Sequence, residues 1–135
     1  MIQAYSNNIS VASEAAVPFN EVAVKKGCSE SMQGASTILF EKCGVYKIDV
    51  NASLVATDEG DITLQLQKDN ILIPQAKITE TAADTAGTHA LAFTTYVTVP
   101  KNNSNCPCVI PTTINLINTG VAVTGDINIV VDKEV

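Results

Sequence analysis

The sequence predicts an all-β protein, an antiparallel two-sheet sandwich, and three observations predict it. Apolar and polar side chains alternate with period two, most plainly in GVYKIDVNASLVA at 44–56, where Tyr46, Ile48, Val50, Ala52 and Leu54 are interleaved with Lys47, Asp49, Asn51 and Ser53. Turn chemistry rich in Asp, Asn, Gly and Pro separates these stretches, and no segment carries a sustained helical stripe. The surface inventory is dominated by Thr, Ser, Asn and Gln, because only 16% of residues are charged while 46% are hydrophobic. A chain of 135 residues is one domain's worth and can fold without staples.

Taken in order, the first sixteen residues, MIQAYSNNISVASEAA, are small and polar with scattered apolar positions. They read as a flexible N-terminal arm, residues 1–16, ahead of a sandwich domain at 17–135. Strand signals then follow at VPFNEVAV, STILF, the 44–56 stretch, DITLQLQ, ILIPQAKIT, HALAFTTYVTV, VIPTTINLIN and DINIVV, eight in all. TDEGD at 57–61 and KDN at 68–70 are tight turns, since Asp, Asn and Gly tolerate the backbone angles of a hairpin. PKNNSNCP at 100–107 is a longer polar loop closed by Pro at both ends. NTG and TGD turn the chain into its last strand. Pro74 and Pro111 interrupt strand stretches, which places those segments on an edge or at a bulge.

Ile62, Leu64 and Leu66 share one parity, as do Leu91, Phe93, Val97 and Val99, so one face of each strand goes inward. Burying such a side chain is worth about 1.5–3 kcal/mol, so a one-residue slip is strongly disfavoured. Eight strands of this kind give a sandwich, with a closed barrel as the competing architecture.

Charge excludes two partner classes. The formal net charge is −6, from eight Lys against fourteen acidic residues, and the chain has no Arg. Nucleic acid needs clustered cations to displace counterions, and an anionic membrane needs a basic patch, so neither is an expected partner. MIQAYSNNIS has neither the basic leader nor the apolar run of a secretory signal, and no apolar stretch is long enough to span a bilayer as a helix. If Met1 is the true start, the protein is made in a cytosol, where its four Cys begin reduced.

The order of these features resembles the jelly-roll domain shared by the complement globular heads and the tumour-necrosis-factor ligands. PFNEVAV resembles their first strand, and STILFEKCGVYKIDVNASL their paired strands, in which a short apolar strand runs into a G-x-Y at the head of a long core strand. LQLQKDNILIPQA resembles their hairpin at a Lys-x-Asn turn, and TGDINIVV their closing Gly-Asp strand. The resemblance spans roughly residues 17–132. It departs in its few aromatics and in the Cys-Pro-Cys segment. It implies a TNF-like jelly roll and a homotrimer. Small chains of this kind also look like virion proteins of phages of low-GC Gram-positive bacteria, where trimeric jelly rolls decorate capsids or tip fibres.

Catalytic equipment is sparse. The only imidazole, His89, has no Cys or Ser near it in sequence and reads as an ordinary strand-start residue. Asp58, Glu59 and Asp61 in one turn could ligate calcium, but a solvated acidic hairpin is the simpler reading. Cys106 and Cys108, with Cys28 and Cys43, make up the number a tetrahedral zinc needs, although Cys-x-Cys is not the usual spacing. Cys28 and Cys43 flank the KKGCSESMQG excursion and are the pair to expect if a disulfide forms. No phosphate-cradling Gly loop is present, and no cofactor or metal is expected.

The expectation is therefore a non-enzymatic virion structural protein, a trimeric decoration protein on the assembled head. It is made in the host cytoplasm, and its partners are itself and the major capsid protein or another virion protein. The arm, through Ile2, Tyr5, Ile9 and Val11, is the expected attachment element. A receptor- or glycan-binding head of a phage fibre, spore or cell surface is the alternative.

Overall fold

Where the chain alternates, it forms strands. The computed structural model describes residues 1–83, 85, 87–100 and 112–135, and the described residues contain ten strands and no helix. They are β1 (Ile2–Val11), β2 (Glu21–Lys25), β3 (Glu30–Gln33), β4 (Thr37–Phe40), β5 (Gly44–Ala56), β6 (Gly60–Lys68), β7 (Ile71–Ala82), β8 (Thr88–Val99), β9 (Thr112–Asn118) and β10 (Val123–Lys133). Sheet A has the order β2-β1-β10-β5-β8 and sheet B the order β3-β4-β9-β6-β7, with every pairing antiparallel. The architecture is two separate five-stranded sheets, the sandwich and not the closed barrel.

The inward parities meet in one core. Ile62, Leu64 and Leu66 from β6 are fully buried, together with Ile48 and Leu54 of β5, Ile114 and Leu116 of β9, and Ile129 and Val131 of β10. Tyr46, the tyrosine of the G-x-Y, is also fully buried and stacks obliquely on Phe40 with ring centroids 4.3 Å apart. Its hydroxyl donates to the Lys42 carbonyl at 2.7 Å, so the one polar atom of a large core side chain is satisfied.

The segment 1–16 is not an arm. Residues 2–11 are β1, which lies inside sheet A with β2 on one side and β10 on the other, from Ile2↔Val131 to Val11↔Val123. Ile2, Ala4, Ser6, Ile9 and Val11 point inward and are buried. Residues 12–20 then cross to sheet B, where the Val17 amide donates to the Leu116 carbonyl at 2.8 Å and the Glu14 amide to the Asn118 carbonyl at 2.7 Å. Ser6 fastens the return, its hydroxyl donating to the Pro18 carbonyl at 2.7 Å and accepting from the Asn20 amide at 2.8 Å. The sandwich domain therefore begins with β1, not at residue 17.

Two closures depend on small or polar residues. Gly125 in β10 has φ +147°, and a Cβ there would collide with the Ser53 carbonyl of β5, so only glycine lets the strands approach. Asn118, fully buried at the end of β9, donates to the carbonyls of Val11, Ala12 and Val121 at 3.2, 3.3 and 2.9 Å, and accepts from the Gly120 amide at 3.0 Å. One amide thus ties the ends of β1 and β9 to the turn before β10.

Candidate functional site

Among the described residues no group of three or more His, Cys, Asp or Glu is placed to hold a metal ion. Asp58, Glu59 and Asp61 lie exposed around the β5–β6 turn, and one Asp61 carboxylate oxygen accepts from the Thr81 hydroxyl at 3.0 Å. His89 follows the inward parity of β8 at the open edge between the sheets, its Nδ1 3.8 Å from a Glu80 carboxylate oxygen of β7.

The expected Cys28–Cys43 disulfide does not form. Cys28 is a free, exposed thiol on the β2–β3 connection, whereas Cys43 is buried and disulfide-bonded. Cys28 lies exposed in the bend before β3, Cys43 packs buried where β5 begins, and the bond of Cys43 is made to a cysteine other than Cys28. Cys106, Cys108 and Pro111 lie outside the described residues.

Of the residues expected to attach the arm, Ile2, Ile9 and Val11 are core side chains and cannot reach a partner. Tyr5, half-buried, projects from the opposite face of β1. It belongs to the outer face of sheet A, where register places Tyr5, Asn128, Asn51 and Ala92 in one row across four strands. A parallel row holds Asp126, Ser53 and Ala90. Between them runs an open groove of about 500 Å³ lined by Gln3, Tyr5, Asn51, Ser53, Asp126 and Asn128. A second groove, about 610 Å³, continues it towards β8 past Asp49, Phe93 and Thr94. The Gln3 amide donates to the Asn128 side-chain oxygen at 3.0 Å, and an Asp126 carboxylate oxygen accepts from the Asn8 amide at 2.9 Å. The face is thus amide-rich with small side chains and few charges, a surface that can be desolvated at low cost once its donors and acceptors are matched.

Large apolar side chains are exposed elsewhere. Tyr96 on the outer face of β8 is 61% exposed, Val22 on β2 47%, and Ile71 and Leu72, adjacent at the β6–β7 hairpin, 72% and 41%. β7 and β8 are the outer strands of their sheets on the same side of the sandwich, so Ile71, Leu72 and Tyr96 lie on one flank and Val22 on the other.

These strand orders, with long core strands and the chain's first and last strands paired at the centre of one sheet, define a jelly roll of the tumour-necrosis-factor and complement-head type. Solved structures bear this out. The chain is similar to "PRD1 vertex protein P5" with a TM-score of 0.57 and 16% identity, covering 98% of this chain and 94% of that one. It is similar to the globular domain of zebrafish complement 1qA protein with a TM-score of 0.60 and 12% identity, covering 95% and 92%. Rabbit GITRL gives a TM-score of 0.55 at 12% identity over 100% and 95%. At such identities the likeness is one of fold. No protein-family model matches the chain, and no curated protein does.

Proposed function

We propose that the protein is a non-enzymatic structural component of a phage virion, working as a homotrimer that decorates the assembled head. The observation that carries this reading is the fold shared, along nearly the full length of both chains, with a protein named for a virion vertex. The surface chemistry supports self-association. The outer face of sheet A, with its amides, its small side chains and the exposed Tyr96 ring, can be desolvated against a second copy at low cost. Native mass measurement tests the oligomer: about three times the 14.2 kDa of one chain is expected, and a monomer at micromolar concentration sinks the trimer. Co-sedimentation with heads stripped of the protein tests the decoration role.

A receptor- or glycan-binding head is the second reading, favoured by the groove in which Gln3, Asn51, Asn128 and Asp126 converge beside the Tyr5 ring. Neutral polyols are recognised by amide side chains such as Gln3, Asn51 and Asn128, which donate and accept without net charge, with the Asp126 carboxylate as a further acceptor. Binding on a glycan array that is lost in Asn51→Ala/Asn128→Ala would favour this reading over decoration.

A further inference from the structure

The buried β1 leaves the virion reading without an attachment element, and a different part of the chain has the properties of one. At the β6–β7 hairpin the two turn residues, Asp69 and Asn70, have φ of 49° and 68°, the backbone of a tight two-residue loop. Lys68 pairs with Ile71 and Gln67 with Leu72 across the turn. Three hydrogen bonds hold this tip to the body, and a fourth braces the hairpin itself. The Asp69 amide donates to the Thr113 carbonyl at 2.9 Å, and the Thr113 amide returns a bond to an Asp69 carboxylate oxygen at 2.9 Å. The Lys68 ammonium donates to the Thr98 carbonyl of sheet A at 2.8 Å, and Gln65, beside the register shift of β6, donates to the Ile73 carbonyl at 2.9 Å.

Two consequences follow for what the tip presents. Its two charged side chains are turned back on the protein, so Ile71 and Leu72 dominate what remains, beside a shallow hollow of about 350 Å³ that also takes in Ile73, Pro74 and Gln75. The tip is also pre-organised, so little conformational entropy is lost when it docks. Pro74 lacks an N–H, which blunts the outer edge of β7 against strand addition by a second copy.

Building on the virion reading, we infer that the Ile71–Leu72 tip is the capsid-facing contact, and that its partner is an uncharged apolar recess repeated on the surface of the assembled head. Area decides for a repeated partner. A lone stable interface buries about 800 Å² per partner, far more than one hairpin tip offers. Three rigid tips on one trimer, engaging recesses spaced to match, convert weak contacts into firm attachment.

The test compares wild type, Ile71→Ser/Leu72→Ser and Val22→Ser for co-sedimentation with stripped heads, with native mass and thermal melting measured alongside. Val22 is an exposed aliphatic on the opposite flank and controls for general loss of hydrophobicity. Expected is a loss of head affinity on the order of 100-fold in the double variant only, with trimer mass and melting unchanged. Unchanged head binding by the double variant overturns the inference and leaves decoration standing. Dissociation of the trimer in the double variant overturns it differently, by making the tip a contact between copies. Failure of the wild type itself to bind heads removes both the inference and the decoration reading.

Discussion

Single residues carry the closures that alternation cannot. Asn118→Ala strips the carbonyls of Val11, Ala12 and Val121 of a buried donor and leaves the Gly120 amide without its acceptor. A destabilisation of about 3 kcal/mol is expected, measured as a shift in the denaturant midpoint. Gly125→Ala combines a positive φ with collision against the β5 backbone, and about 2–4 kcal/mol or outright loss of soluble protein is expected from the same titration. At the cysteines the expected result is chemical. Native alkylation should label Cys28 quickly and leave Cys43 unmodified until a reductant is added; mass spectrometry of the peptides decides it. Tyr46 was legible in sequence because the G-x-Y and the alternation agreed on its burial. The cysteine pairing was not legible, because four thiols offer several partners for Cys43 and residue spacing does not say which of them meets its bonding geometry.

At the scale of strands, most of the fold was written in period-two burial, and the exceptions have identifiable causes. β1 escaped detection because its inward set changes parity: Ile2, Ala4 and Ser6 are even, Ile9 and Val11 odd, and the register shift between Ser6 and Ile9 separates them. A bulge of this kind, with Asn8 at φ 54° and its amide on Asp126, erases the alternation on which a strand is recognised. β3 escaped because it is four residues long and begins with a buried acid, Glu30, which forms an ion pair with the amino group of Met1. The β6–β7 tip was hidden for the opposite reason. Ile71 has the inward parity of its strand and would be assigned to the core, yet it lies too far along the hairpin to be covered. Deleting residues 2–11 should therefore abolish folding, because it uncovers the flanks of β2 and β10 and removes four buried apolar side chains, Ile2, Ala4, Ile9 and Val11. Circular dichroism or proteolysis of the truncated chain checks this; a protease-resistant, cooperatively melting product would contradict the placement of β1.

For the molecule as a whole, stability resides in one continuous core between the sheets, and function in what the exterior leaves bare. Leu64→Ala, at a fully buried centre of sheet B, should cost about 2–5 kcal/mol by cavity formation. Val22→Ser on the surface should change stability by less than about 0.5 kcal/mol, so paired melts give an internal calibration. The pairing of β1 with β10, Ile2 against Val131, also governs how the molecule comes into being. A ribosome delivers the first of these strands long before the second, and sheet A lacks its middle until β10 has been made. Nascent chains stalled ahead of Val123 should remain open to protease, with resistance arising abruptly once β10 leaves the exit tunnel.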